Sequence, residues 1–589
     1  MSKLLLKKEV WLPIFFLVLV GGFIYAFNWH NGLFWDDDEW IINNVFVHGL
    51  TWVNIKFWFG HNTLAGVGLK SNYYRPFLFF TFTLNYLVAG LKPLVYHLTS
   101  NAIHIFNAVL VFWLVRASFK RNLLAWLTAL FFLAHPLQTE AITYISGRGD
   151  ALVAMFMLLA LTLFYGAETR GEKWWGIRKV FSLIFLALGL LSRETGIIFP
   201  FLALVFYIAV LSKEKFLGSI KRGLVQTWPY FAMVIIYGIL RLTVLNFLNT
   251  LNFYAEPNLY SQHLHVRMFT FLPILWQYLK LLLVPVGLHM ERTSVVYTSL
   301  WQWPIWFIGL LLVGLLAWLR RVYKQSKEST EWKVWFLGVL WFFISLGPVS
   351  GLTPINALIY EHWLYLPMVG FWLTVSFYLV KAFDYLQFRK LTIFYFIFSI
   401  FLGAYLVFFS YQSIQRNILW GKPIEFYKDI LKHEPQSARI SNNLGNLYFN
   451  QRDREKAEFY YRQAVEIGDS FPQPYFNLGS ILQAKGDVYG AIKLYEQAIA
   501  INPNFYYSYQ NLAVIYAQQG KLAKAKENVE KLKLLLPNNP RIFYNSALIY
   551  LALNDKKQAL ADLKEGKKYA ALDPETGQLI LELISKLQK

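Results

Sequence analysis

The sequence predicts an all-α protein of two parts, a polytopic bundle of membrane helices followed by an α-solenoid of paired helices. Two observations predict it. Of 589 residues, 56% are hydrophobic and 19% aromatic, and the mean hydropathy of +0.37 lies far above that of soluble globular chains. Near the C-terminus, Leu444, Leu478 and Leu512 recur at one spacing, as do Ala457, Ala491 and Ala525.

That spacing is 34 residues, the tetratricopeptide period. Repeat one, residues 438 to 471, supplies Leu444, Gly445, Tyr448, Ala457, Tyr461 and Ala464 at the pattern positions. Repeat two supplies Tyr475, Leu478, Gly479, Ala491, Tyr495, Ala498 and Pro503, and repeat three Tyr509, Leu512, Ala513, Tyr516, Ala525 and Pro537. Repeat four keeps Phe543, Ala547, Tyr550, Ala559 and Leu563 without its closing proline, as suits a terminal cap. Just upstream, PIEFYKDILKHEP (423–435) reads as the second helix of a half repeat that makes a stiff joint. The expected division is a membrane domain at 1–415, a linker helix at 416–437, four repeats at 438–573 and a capping helix at 574–589.

The net charge of +21 does not point to nucleic acid, because Lys and Arg cluster in short segments between apolar runs, as membrane orientation requires. No cysteine is present, so no disulfide framework or thiolate metal site exists. MSKLLLKK (1–8) precedes an apolar run from Val10 to Trp29 and reads as an uncleaved signal anchor with a cytoplasmic N-terminus. Further spans are expected near 94–116, 123–137, 150–168, 180–192, 197–212, 225–245, 303–319, 333–350, 364–381 and 391–411, about eleven crossings in all. This places Lys120/Arg121, Arg170 to Lys179, Lys213 to Arg222, Arg320/Arg321 and Arg389/Lys390 inside and the repeats outside. Residues 267–288 are apolar enough to span, but a crossing there would put the Arg320 cluster on the wrong side, so this stretch, with Pro273, Lys280 and Pro285, is expected to be interfacial or re-entrant, as is the amphipathic stretch from Arg75 to Leu91.

Ionisable groups at membrane depth are costly and mark function or a partner. FWDDDEW (34–40) sets Asp36, Asp37, Asp38 and Glu39 at the outer interface, where crowding raises a carboxylate pKa as a general base or metal site requires. A solvated acidic loop between interfacial tryptophans is the alternative. Other outward ends carry Arg75, His135 with Glu140, Arg148 with Asp150, Arg193 with Glu194, and Glu361 with His362, all expected to meet one external cavity. Arginine suits bidentate phosphate binding, although an arginine at a helix end also serves as a snorkelling anchor. His97 and His104 are expected to be packing residues. No Walker loop, dinucleotide fingerprint, HExxH or GxSxG is found, so a donor activated elsewhere is expected, such as a lipid-linked phosphosugar entering from the bilayer.

At these residues the chain resembles the transmembrane and tetratricopeptide repeat-containing (TMTC-like) protein O-mannosyltransferases and their bacterial relatives, within the GT-C glycosyltransferases. Asp36, Asp37, Ile41, Asn43 and Asn44 match the family's first external loop, and the segments YRPFLFFTFTLNYLVAGLKPLVYHLTSNAIH, AHPLQTEAITYISGRGDAL, LSRETG and EHWLYLP look like its membrane part. Asp38 and Glu39 are extra acids, and His362 stands where an arginine is expected. The resemblance implies a GT-C-like bundle and an inverting transfer of a sugar, mannose-like, from a polyprenyl-phosphate carrier to a hydroxyl, commonly a protein Ser or Thr. It implies Asp36, or Asp37 if the loop is shifted, as the base. Arg75, with Arg148 and Arg193 as alternatives, would hold the leaving phosphate, with His135, Glu140, Asp150, Glu194, Glu361 and His362 in support. Some GT-C enzymes use a divalent metal, Mg or Mn, held by such acids and others do not; no other cofactor is implied.

The repeats form a concave groove for an acceptor protein or a partner, in which Tyr506, Tyr507, Asn442, Asn477 and Asn511 either face the groove or pack helices. Two rival classes stay open, an O-antigen-type oligosaccharide ligase or polymerase and a membrane scaffold that recruits partners through its repeats. The absence of cysteine and the short loops favour a bacterial cytoplasmic membrane with periplasmic or external repeats.

Overall fold

The computed structural model of the chain describes residues 8–248, 257–325, 329–355, 357–468 and 471–588. The basic residues 1–7 of the expected signal anchor lie outside the described residues. By contacts the chain divides between Pro423 and Ile424. Among the described residues the only β-pairing is an isolated antiparallel bridge, Arg292 to Ile359.

The first unit contains α1 (Lys8–Tyr25), α2 (Pro76–Ala89), α3 (Pro93–Phe119), α4 (Asn122–Ala134), α5 (Arg148–Glu168), α6 (Ile177–Ser192), α7 (Phe199–Phe206), α8 (Phe216–Leu242), α9 (Leu264–Leu283), α10 (Trp303–Gln325), α11 (Thr330–Leu346), α12 (Pro367–Phe388) and α13 (Thr392–Trp420). Proline at the first turn starts α2, α3 and α12, where its missing N–H costs nothing. Nine helical stretches among the described residues are long and apolar enough to cross a membrane. The expected spans that fall short are α4 and α6, which are brief, and α12, which carries Lys381 and Asp384.

α9 meets the length and composition of a span. It is one continuous helix through Pro273. Its hydrogen bonds tie it to the connections between other helices. At its start Arg267 Nε donates to the Gly351 carbonyl at 2.6 Å, in its middle Tyr278 donates to the Tyr360 carbonyl at 3.3 Å, and near its finish the Leu282 carbonyl accepts from His135 Nε2 at 3.0 Å.

α11 and α12 pack through a glycine pair, since a Cβ on Gly370 would stand 2.3 Å from the Gly338 carbonyl. α13 runs to Trp420, beyond the expected end near 411 and beyond the expected domain boundary at 415. Its last turns read as polar, yet those groups are partnered inside: Ser413 donates to the Ala134 carbonyl at 2.8 Å, and Asn417 donates to the Ile24 carbonyl at 2.9 Å and also pairs with Thr143. Thr143 accepts from Asn28, which exchanges bonds with Asn101 on α3. This buried network ties α1, α3 and α13 together next to the polar end of the bundle, where each unpaired group would cost several kcal/mol, roughly, in an apolar medium. His97 and His104 are packing residues, bonded to the Asn31 carbonyl and to Tyr365 with the Leu133 carbonyl.

The second unit carries α14 (Pro423–His433), which begins at the boundary, and four helix pairs: α15 (Ala438–Asn450) with α16 (Arg454–Ile467), α17 (Gln473–Ala484) with α18 (Val488–Ile501), α19 (Tyr506–Gln518) with α20 (Leu522–Leu535), and α21 (Pro540–Ala552) with α22 (Lys556–Lys567). Leu444, Ala457, Tyr461, Ala491, Tyr495, Leu512, Ala525, Ala547 and Leu563 are all buried, as the period requires. A Cβ on Gly445 would meet the Tyr461 ring at 2.6 Å, which explains the small residue there. α23 (Pro574–Gln588) lays Ile580 against Ala547, Tyr550, Ala559 and Leu563 and closes the stack. Asn477 donates to Asn442 and Asn446, and Asn511 to Tyr495, so these asparagines join neighbouring helices.

Candidate active site at one end of the membrane bundle

The connections 29–75, 135–147, 193–198, 284–302 and 347–366 bring the acids and arginines together at one end of the first unit. Trp35 turns the chain with φ of +66°, a left-handed conformation that a β-carbon disfavours, and a π-helical turn Asp38–Ile42 follows. Asp37 is 2% exposed. Its Oδ1 accepts from the Ser146 N–H at 2.9 Å and the Ser146 hydroxyl at 2.6 Å, and its Oδ2 from the Phe34 N–H at 3.4 Å. Burial pushes the Asp37 carboxyl up to about 7; the Ser146 and Phe34 bonds pull against that rise and the charge of Asp36 adds to it. Asp36 is half-buried beside Asp37 and Tyr144. Asp38 is exposed, and Glu39 is half-buried.

Arg75 precedes Pro76, which excludes it from the helical region and leaves it as the N-cap of α2. Its Nε donates to Glu194 Oε2 at 3.1 Å, while the Tyr74 N–H donates to Glu194 Oε1 at 2.8 Å. The guanidinium lies over Tyr73 at 4.4 Å and Trp40 at 5.6 Å. Among the described residues its two terminal nitrogens have no hydrogen-bond partner. Arg193, extended after α6, pairs through Nη1 with Asp150 in the first turn of α5 and lies within electrostatic reach of Arg75 and Glu194. The two pairs thus present open guanidinium nitrogens held in place by carboxylates.

A second group adjoins them. Glu361 is fully buried and accepts from Arg292 at 2.8 Å, Arg416 at 2.9 Å and the His289 N–H at 2.8 Å. His362 Nδ1 lies 2.6 Å from Glu140 Oε1, and the His362 N–H donates to Glu140 Oε2 at 3.2 Å. Burial raises the Glu140 carboxyl, the charge of Glu361 adds to the rise, and Arg416 and Arg292 offset part of it. Burial lowers His362 to about 4, so its ring is neutral near pH 7. The charges that act on His362 include Asp150, Arg193, Arg75 and Glu361, which places it between the two groups.

Two expected site residues stand apart. Arg148 is 0% exposed and donates to Ser100 at 3.0 Å, Thr81 at 3.2 Å, Asn85 at 2.7 Å and the Tyr96 carbonyl at 2.8 Å, over the Phe82 ring. With its donors spent on the protein, it braces α2, α3 and α5 and presents nothing to a phosphate. Arg148→Met is expected to strip four acceptors of their donor and lower stability by about 3 kcal/mol, read as a fall in the thermal midpoint in detergent. His135 is likewise consumed, bonding the Leu282 carbonyl and accepting from the Leu137 N–H at 3.3 Å. The whole connection from 135 to 147 is buried.

Sequence reasoning missed Arg292, Arg416 and Ser146. An arginine continuing an apolar helix is a signal in itself, and Arg416 carries it once α13 is drawn to its full length. Among the described residues no group of three or more His, Asp or Glu is arranged to hold a metal ion.

A polytopic, all-α membrane protein with paired acids and arginines at one bundle end, joined to tetratricopeptide repeats, is what this fold and this end define. Residues 76–243 match the family model described as dolichyl-phosphate-mannose-protein mannosyltransferase. Tetratricopeptide repeat models match at 438–467, 472–505, 494–527 and 540–571. The chain is 25% identical over 495 residues to the human protein O-mannosyl-transferase TMTC3, covering 79% of this chain and 52% of that one. It is 24% identical to human TMTC1, covering 76% and 54%, and 24% identical to the Caenorhabditis elegans protein O-mannosyl-transferase F38B6.6, covering 74% and 60%. The chain is thus similar to these transferases over 74 to 79% of its own length. It spans about half the length of the first curated relatives it matches, 52% of TMTC3.

Proposed function

We propose that this chain is an inverting glycosyltransferase that moves a mannose-like sugar from a polyprenyl-phosphate donor to a hydroxyl, a protein Ser or Thr, on the external face of the membrane. The observation that carries the reading is a half-buried carboxylate, Asp36, beside Asp37 in one connection of the apolar bundle, together with two arginines, Arg75 and Arg193, each tethered to a carboxylate, Glu194 and Asp150. The relatives' names and the match at residues 76–243 support the same chemistry.

In this reading Asp36 takes the proton from the acceptor hydroxyl as its oxygen bonds the anomeric carbon from the face opposite the phosphate. The bond from that carbon to the phosphate oxygen breaks, and the polyprenyl phosphate leaves with the electron pair. Asp37, closed around Ser146, fixes the loop and contributes negative charge that strengthens Asp36 as a base. Arg75 and Arg193 stabilise the charge developing on the leaving phosphate, with Glu194 and Asp150 fixing their orientation. Trp40 and Tyr73 stiffen Arg75.

The repeats bind the acceptor protein or a partner. A cavity of 260 Å³ between α19, α20 and α21, lined by Tyr506, Gln510, Val514, Asn545 and Leu548 among others, supports that role. The setting proposed is a bacterial cytoplasmic membrane. The test offers the purified full chain labelled mannose on a polyprenyl phosphate and, separately, on a nucleotide, with a protein extract as acceptor. Label is expected to move from the lipid donor alone. Movement from the nucleotide alone, or partner capture without any movement, overturns the reading.

A further inference from the structure

His362 and Glu140 form a pair that the transfer reaction as described does not use. Glu140 is 0% exposed and touches His362 twice, through the ring Nδ1 at 2.6 Å and the backbone N–H at 3.2 Å. Because Oε2 must accept from that N–H, only Oε1 is free to exchange a proton with Nδ1. The other ring nitrogen, Nε2, has no hydrogen-bond partner among the described residues. The ring stacks on Tyr360 with centroids 5.1 Å apart, and it lies within electrostatic reach of Arg75, Arg193, Asp150 and Glu361.

We propose, on the glycosyltransferase reading above, that His362 binds the phosphate of the lipid donor through Nε2–H, and that Glu140 sets which ring nitrogen carries the hydrogen. A protonated Glu140 donates from Oε1 to Nδ1, so the neutral ring must carry its hydrogen on Nε2, aimed at the phosphate beside Arg75 and Arg193. An ionised Glu140 demands the hydrogen on Nδ1, turns Nε2 into a lone pair, and sets that lone pair and a new negative charge toward an anion. One proton leaves Glu140 to solvent and the ring changes tautomer; no bond in the substrate is involved. The groups facing the pair share the work: Glu361 and burial keep the proton on Glu140, while Arg416 and Arg292 pull against it. Donor binding should therefore weaken as pH rises through the Glu140 titration. His362 is the binding group and Glu140 its positioning residue.

The test is the KM for a labelled polyprenyl-phosphate mannose between about pH 6 and pH 9, through the His and perturbed-carboxylate range, with the full-length chain in detergent. The wild type is expected to lose donor affinity about tenfold or more at the alkaline side, a cost of order one charge-assisted hydrogen bond. Glu140→Gln should stay active and lose this alkaline rise in KM, because its amide oxygen accepts from the His362 N–H and its NH2 fixes the Nε2–H tautomer at every pH. His362→Arg should also bind donor independently of pH, and His362→Phe should bind it weakly throughout. An unchanged alkaline rise in Glu140→Gln overturns the inference even while the enzyme transfers sugar. Absence of transfer from any lipid donor by the wild type instead sinks the reading on which it rests. Thermal midpoints of each variant separate loss of fold from loss of binding.

Discussion

Replacing Asp36 by asparagine is expected to reduce sugar transfer by about 10³-fold, within the span general-base catalysis supplies, while the donor KM and the thermal midpoint stay near wild type. Asparagine keeps the shape of the half-buried side chain and removes its capacity to take a proton. Asp37→Asn is expected to behave differently, because Asp37 spends its oxygens on Ser146 and Phe34 and lacks access to an acceptor. Its part is charge. Since burial lifts the Asp37 carboxyl to about 7, the ionised form exists above that pH, and the wild-type rate should fall as pH drops through it. In Asp37→Asn that acid limb should flatten on a lower plateau. Initial rates across the range decide it, and an acid limb unchanged by the substitution would remove Asp37 from this role.

The second large effect is expected at Arg75. Arg75→Met should lower kcat/KM for the lipid donor by about 10²- to 10³-fold, the cost of removing one preorganised donor from a developing anion. Arg75→Lys should recover only part, since an ammonium restores charge without the fork that bonds Glu194 through Nε and leaves two nitrogens for the phosphate. The double change Arg75→Met with Glu194→Gln removes the stranded carboxylate. It should regain stability without regaining transfer, whereas recovered transfer would show that Arg75 serves only to neutralise Glu194.

The repeats were fully legible because a solenoid writes its packing into a fixed period: Leu444, Ala457, Tyr461 and their counterparts are buried for the reason they recur. Most of the long apolar helices were legible too, as uninterrupted hydrophobic runs such as those at α1, α3 and α5. Legibility failed where burial reversed the meaning of a polar residue. Arg148 and Arg75 look alike in sequence, each at a helix start in a family-like segment, yet Arg148 meets Thr81, Asn85 and Ser100 while Arg75 keeps two nitrogens open. Only the approach of α2 and α3 to α5 separates them. The end of α13 was hidden because Ser413, Arg416 and Asn417 read as a polar exit, when each has a partner inside the bundle. Arg292 lies in a connection with no periodicity, and its link to Glu361 spans 69 residues of sequence. His362 was visible as a departure from the expected arginine, but its partner Glu140 is 222 residues away.

The most direct measurement is single-turnover transfer of labelled mannose from a polyprenyl phosphate to protein by the full-length chain and by its Asp36→Asn variant, both folded by thermal midpoint. The account predicts label on Ser or Thr of the acceptor with wild type and about a thousandth of that rate with the variant. Equal transfer by the two chains would contradict it.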